Sequence, residues 1–177
     1  MSASAGSKPA LRPLLPQDVP VLAAIFSASV QDLAIEDYSE DQVAAWAAEA
    51  DDVEAFAERL KDRLTLVATL DHAVVGFASL RDNNHIDMLY VHPAAARQGV
   101  ASALCDALEK LAAARGVAGL TVDASDTAVP LFGRRGYSAQ QRNTVELGGE
   151  WFGTTSMRKD LTPKDAGPAA GKGSATR

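Results

Sequence analysis

The sequence predicts an α/β domain built on one mixed sheet of six to seven strands, flanked by about four to five helices. Three observations predict it. Apolar residues recur at helical spacing over the first third of the chain, then give way between 64 and 91 to short β-branched runs bounded by turn residues. Those runs are separated by two to four turn residues, which calls for antiparallel hairpins. A long helical stretch, 98–115, then lies between two strand-like runs, 86–91 and 117–122, which calls for a parallel pair with a right-handed crossover.

The elements follow in order. Residues 11–15 read as a short opening strand. Pro16 and Asp18 start a helix on which Val19, Leu22, Ile25, Phe26 and Val30 recur at helical spacing. Ser39 precedes a second helix, 40–49, and its offset to Gln42 makes a capping box, each side chain reaching the other's backbone amide. A third, 53–60, carries Val53, Phe56, Ala57 and Leu60 on one face. Runs 64–70 and 73–80 flank Asp71-His72 as a hairpin, and Arg81-Asp82-Asn83-Asn84 turns into strand 86–91, which Pro93 ends. Helix 98–115 presents Val100, Ala103, Leu104, Ala107, Leu108 and Leu111 inward and stops at Gly116. A buried strand 117–122, a short helix 127–135 and strands 137–141 and 151–158 complete a domain at 10–161. Segments 1–9 and 162–177 are rich in Ser, Ala, Gly, Pro and Lys, with too little apolar surface to offset ordering entropy, so both are expected to be disordered.

Composition excludes several classes of function. The net charge is -6 and the basic residues are scattered, apart from Arg134, Arg135 and Arg142, which argues against a nucleic-acid partner. No apolar run approaches membrane-spanning length, so no membrane partner is expected. The single cysteine, Cys105, forms no internal disulfide and supports no cysteine-based metal site. It fits a reducing compartment, and the cytoplasm is the expected location; Cys105 itself reads as a small buried hydrophobe within the long helix.

Chemistry concentrates in 86–104. A strand ends at His92-Pro93, and a helix opens around Gly99, Ala101 and Ser102. The first amides of that helix lack intrahelical partners, and with the positive helix end they suit a phosphate or pyrophosphate. Gly99 lets the backbone approach a ligand, Ala101 leaves the face open, and Arg97 adds charge. The nucleotide loop GxxxxGK[ST] and the dinucleotide fingerprint GxGxxG are both absent.

This stretch resembles the acetyl-CoA signature of the GNAT superfamily of N-acetyltransferases, [Gln/Arg]-x-x-Gly-x-[Gly/Ala] after a Val-His-Pro-like step, and falls on Ala96-Arg97-Gln98-Gly99-Val100-Ala101. It departs at the first position, which is Ala96. The resemblance extends to Gly76 and to Thr127–Tyr137 residue by residue (TAVPLFGRRGY), and covers most of 11–160. Asp37-Tyr38-Ser39 and the Ile-Asp-x-x-Tyr-Val-His-Pro strand are similar to a bacterial branch, the YafP-like acetyltransferases. The resemblance implies that acetyl-CoA is the co-substrate, that no metal takes part, and that a small-molecule amine or peptide is the acceptor. It leaves a homodimer open, since nothing in the sequence marks a dimer face.

By the same resemblance Leu89, Tyr90, Val91, Arg97, Gln98, Gly99, Val100, Ala101 and Ser102 hold the cofactor, with Phe132 and Arg135 from the short helix. A backbone amide at Tyr90 or Val91 polarises the thioester carbonyl. Asp87 stands where several members place a Glu as general base, and equally reads as a structural carboxylate; His85 is the second candidate. The family's acid Tyr is replaced by Phe132, leaving Tyr137 or Tyr38 as the spare phenols, or a thiolate that departs into water. Asp123, Ser125 and Asp126 follow a strand end that opens on the cleft; Ser125 or Asp126 equally caps the next helix. The acceptor side falls to Tyr38, Trp46, Asp87 and Trp151, with Phe152 nearby. Acidic residues Glu36, Asp37, Glu40 and Asp41 read either as a rim attracting a cationic amine or as a solvated helix face. A non-catalytic acyl-CoA-binding module on the same fold is the competing reading.

Overall fold

A computed structural model describes residues 6–161. Its framework is one seven-stranded sheet of β1 (Ala10–Pro13), β2 (Leu64–Leu70), β3 (Ala73–Arg81), β4 (His85–Val91), β5 (Gly119–Ser125), β6 (Ser138–Leu147) and β7 (Glu150–Asp160), in the order β1-β2-β3-β4-β5-β7-β6. Five helices flank it: α1 (Val19–Leu33), α2 (Glu40–Ala47), α3 (Val53–Lys61), α4 (Val100–Ala114) and α5 (Val129–Arg134). The mixed sheet and its helices are as the sequence predicts. The disorder expected at 1–5 and 162–177 lies outside the described residues. Within 6–9, Ser7 donates to Asp71 at 2.6 Å.

Local chemistry fixes the element starts. Asp18 accepts from the Leu15 amide (2.8 Å) and from both Arg12 Nη atoms (2.6 and 2.9 Å), so the turn before α1 is tied to β1. Ser39 and Gln42 form the reciprocal capping box at α2, with bonds of 3.2 and 2.9 Å. Two apolar cores lie on opposite faces. One packs α1, α2 and α3 on Val67, Phe77 and Met88; the other packs α4 and α5 on Ala78, Ile86, Leu120 and Val122.

All strand pairs are antiparallel except β4–β5, and that pair positions the site. It makes two pairings, His85↔Thr121 and Ile86↔Val122. Beyond them β4 continues along β3 to Val91↔Gly76, while β5 follows β7 to Ser125↔Thr154. The sheet therefore splits into a wedge, and among the described residues the β5-facing edge of β4 past Ile86 has no strand partner. The cause is a bulge: Ser79 faces Met88 and Leu80 faces Ile86, so Asp87 is an extra residue. It resets the alternation. Ile86 joins the α4 core, whereas Met88 and Tyr90 join the α1–α3 core.

The strands at the carboxyl end run further than the sequence predicts. β6 reaches Leu147 and turns into β7 through Gly148-Gly149, both at positive φ (57° and 82°), a conformation suited to a two-residue hairpin turn.

Candidate active site

The α4 N-terminus is shaped by residues 92–99. His92 Nδ1 accepts the Ala94 amide (3.1 Å), and the Gln98 side-chain amide donates to the Ala94 carbonyl (3.1 Å). Arg97 and Gly99 then take positive φ, 62° and 78°. The first helical bond runs from the Ala103 amide to the Gly99 carbonyl (3.0 Å), which leaves the amides of Val100, Ala101 and Ser102 without intrahelical acceptors. A Cβ built on Gly99 meets nothing within 4 Å, so the space above the cradle is open. Beneath it, a Cβ on Gly76 would lie 3.0 Å from the Tyr90 carbonyl and 3.0 Å from Val100 Cγ1. Glycine there lets α4 sit close on the sheet.

From the cradle a cavity of about 420 Å³ follows β4 towards α5 and α1. A smaller opening of about 80 Å³ lies between the splayed strands, with Asp87 and Asp123 on its two sides. Trp46, Leu89, Tyr90, Ser125 and Ala128 line both, so the two meet in the wedge. An extended ligand with phosphates at one end fits: the open amides receive anions, Arg97 and Arg134 line the same cavity, and the thin end reaches the unpartnered β4 edge.

Of the expected cofactor residues, Leu89, Tyr90, Val91, Arg97, Gly99, Val100, Ala101 and Ser102 line the larger cavity; Ala96, the departure from the signature, lines it too. Gln98 does not, its amide being held by Ala94. Phe132 is buried, lines the smaller opening but not the larger, and packs edge-on against Tyr137 (centroids 5.1 Å). Arg135 is turned away, paired with Asp106 and Glu109 on α4. Arg134 reaches the cavity instead, three residues from Leu131, another wall residue.

Tyr137, expected as a spare phenol, lies outside both openings. Its hydroxyl donates to Glu109 (3.1 Å), Lys159 sits over its ring, and burial with the Glu109 charge pushes its pKa up. It is a buried strut. Tyr38 also lies outside the openings: its hydroxyl donates to the Gly153 carbonyl (3.1 Å) and accepts the Asp126 amide (2.9 Å), tying the α1–α2 connection to β7 and the start of α5. Trp151 is 61% exposed and away from both cavities, and only its carbonyl is engaged, by Gln42. Trp46 does line both. Its indole N–H donates to the Tyr90 hydroxyl (3.3 Å), and burial pushes the Tyr90 pKa up to about 12.

The acidic groups divide. Asp37 accepts from Thr127 (2.8 Å), while Glu40 and Asp41 stand in the first turn of α2, where the helix dipole favours them; none of the three lines an opening. Ser125 does accept the Ala128 amide (3.2 Å), as a cap would. Asp87 accepts from Arg63 Nε (3.2 Å), with Arg59 Nε at 3.6 Å and Arg81 Nη1 at 3.8 Å. Asp123 is more open, 54% exposed, and accepts from Ser156 (2.6 Å). His85 stands behind it, Nε2 3.7 Å from Asp123 and Nδ1 2.7 Å from Thr121 Oγ1; burial lowers its pKa below 6.5, so it is neutral at pH 7. Cys105 is buried with its thiol pushed up to about 12, which removes it as a nucleophile. Among the described residues no helix is long and apolar enough to cross a membrane, and no cluster of three metal-ligating side chains occurs.

Sequence and fold comparisons show what the chain is similar to. A family described as "Acetyltransferase (GNAT) domain" matches residues 34–161. The chain is 40% identical over 148 residues to "Uncharacterized N-acetyltransferase YafP" of Escherichia coli K12, covering 84% of this chain and 93% of that one. A solved GCN5-related N-acetyltransferase from Rhodopseudomonas palustris superposes with a TM-score of 0.86 at 56% identity, covering 90% of this chain and all of that one. The description of that structure also carries the words "Aminotransferase, Class-II". Among the described residues no lysine that could hold the pyridoxal group of such an enzyme lines either opening. The PaiA N-acetyltransferase of Thermoplasma acidophilum, solved with coenzyme A, shares the fold at 19% identity (TM-score 0.71; 86% of this chain, 99% of that one).

Proposed function

Because the chain belongs to the GNAT acetyltransferase family, we propose that it binds acetyl-CoA in the larger cavity and passes the acetyl group to an amine by direct attack in a ternary complex. One observation carries the reading: the open amides of α4 and the unpartnered edge of β4 face a single continuous cleft.

When bound, acetyl-CoA supplies an acetyl group already activated as a thioester. Every other contribution comes from this chain. The amides of Val100, Ala101 and Ser102, with Arg97 and Arg134, hold the phosphates. Ala96 costs little, because main-chain donors do this work. On the free edge of β4 the Leu89 and Val91 amides are the main-chain donors for a carbonyl in the wedge, the Tyr90 amide facing β3, and these bonds strengthen as negative charge develops there. Asp123, exposed and lining the acceptor side, takes the ammonium proton, with neutral His85 behind it. Asp87 is engaged by arginine and positions rather than accepts. Tyr90 spends a lone pair on Trp46 and keeps its own proton through the working pH range, so it is the phenol available at the junction once Tyr137 is committed to Glu109.

The experiment is release of free coenzyme A thiol, followed with and without a panel of amines, with the acetylated product confirmed by mass. Amine-dependent release supports the proposal. Binding of acetyl-CoA with no product from any amine would instead favour the non-catalytic module, which the aromatic Phe132 in place of a phenol leaves in view.

A further inference from the structure

Three guanidiniums converge on one carboxylate beside the acceptor opening. Arg59 and Arg63, within and just after α3, and Arg81, at the end of β3, lie 3.6, 3.2 and 3.8 Å from Asp87. Among the described residues the other carboxylate within reach is Asp82, 3.9 Å from Arg81 and 83% exposed. The imbalance in hydrogen-bonding capacity is larger than that in charge. Each guanidinium offers five N–H donors, yet among the described residues the three make one hydrogen bond between them, Arg63 to Asp87. They are accessible, at 38% for Arg59, 19% for Arg63 and 42% for Arg81.

Their position gives the surplus a use. Asp87 is the bulged residue that starts the wedge and lines the smaller opening. The arginines stand on the α1–α3 face, whereas the phosphate cradle stands at the α4 N-terminus on the opposite face. The two cationic groups are thus separated by the sheet, one at each side of the split.

We propose that the acceptor carries an anionic group, a carboxylate or a phosphate, as well as its amine, and that Arg59, Arg63 and Arg81 receive it beside Asp87. This rests on the acetyl-transfer reading above. The planar guanidinium fork matches both anions and gives paired, charge-assisted hydrogen bonds. Asp87, itself a wall residue of the smaller opening, gathers the three side chains next to that opening, and each keeps N–H donors to spare. The same charge disfavours a polyamine, whose second cation would approach the cluster.

The test uses the full chain and two matched acceptor sets. α-Amino acids are compared with their amides, which probes carboxylate; phosphoethanolamine is compared with ethanolamine, which probes phosphate. In at least one set the anionic member is expected to exceed its neutral partner at least tenfold in kcat/KM. Arg59→Gln and Arg81→Gln should cut that ratio at least fivefold, and Arg59→Lys should retain part of it. Circular dichroism and thermal melts confirm that each variant is folded. A ratio near one, or a ratio the glutamine variants leave untouched, overturns the anionic acceptor while leaving acetyl transfer standing.

If no amine in either set is acetylated, acetyl transfer is what fails, and the cluster is judged separately by calorimetric titration with inorganic phosphate. Saturable binding lost in Arg59→Gln/Arg81→Gln and retained in Gly99→Val supports the anion site. Absence of such binding overturns it.

Discussion

Replacing Gly99 by valine separates the cost of folding from the cost of binding. The residue sits at φ 78°, where an L side chain costs about 1–2 kcal/mol. A less flexible unfolded chain returns about 0.4–1 kcal/mol of that. Space adds nothing to the penalty, since the new Cβ meets no atom within 4 Å. The net loss of stability is therefore expected to be about 1 kcal/mol in urea unfolding. The open space is, however, where phosphate oxygens would reach the α4 amides. Losing two charge-assisted hydrogen bonds at about 1.5–2 kcal/mol each removes about 3–4 kcal/mol. At 1.4 kcal/mol per decade that is a drop of roughly 100- to 1,000-fold in acetyl-CoA affinity, read by isothermal titration. Gly76→Ala should show the reverse balance. Its Cβ would press on backbone and on Val100, so destabilisation of about 1–3 kcal/mol is expected to dominate. Wild-type affinity in a folded Gly99→Val protein would refute the cradle.

Other substitutions test the rest of the site. Arg134→Ala should weaken acetyl-CoA binding in a salt-dependent way with little change in melting. Arg135→Ala should instead lower stability by about 2 kcal/mol, because it leaves Glu109 and Asp106 short of a partner; titration and melts on the two proteins decide. Asp123→Asn is expected to reduce kcat at least tenfold at pH 7 and less at high pH, where free amine is abundant, so a flat pH dependence of the deficit would remove Asp123 as proton acceptor. Tyr90→Phe should slow turnover more than it weakens acetyl-CoA binding, and equal losses in both would make the phenol a packing group. Asp18→Asn tests the fold. Hydrogen bonds from Arg12 and Leu15 hold the Asp18 carboxyl below its ordinary 3.8, so its stabilisation is full above that value and fades as pH falls through the lower, folded-state value. Urea midpoints of wild type and variant should draw together as the pH falls from 3.8 into the acid range; a gap that does not narrow on acidification would contradict the assignment.

Much of this was legible because local signals matched local structure. The Ser39–Gln42 box, the Asp71-His72 turn and the switch from helical to alternating spacing at residue 64 each depend on neighbours in sequence. The Arg134 position was legible too, though by period: on α5, Leu131 and Arg134 share the face that lines the cavity, while Phe132 and Arg135 share the other, where Arg135 pairs with Asp106 and Glu109. Tyr137 and Tyr38 were different. Their hydroxyls meet Glu109, Gly153 and Asp126, partners far away in the chain, and no local pattern announces them. The bulge at Asp87 was equally hidden, since it exists only as a register between β3 and β4. The far half of β6 was missed because an almost fully exposed strand has no apolar alternation, although Leu147-Gly148-Gly149-Glu150 carried the hairpin signal.

The wedge has a consequence for how such a chain can diverge. It is made by the main chain, through one extra residue in β4 and a parallel pairing that stops after Ile86. The walls around it, among them Asp123 and the arginines near Asp87, are side chains. Whether a binding place exists and what it accepts are thus written in different parts of the molecule. A lineage can exchange the wall residues one at a time and try new acceptors, while the aperture and the cradle are inherited unaltered.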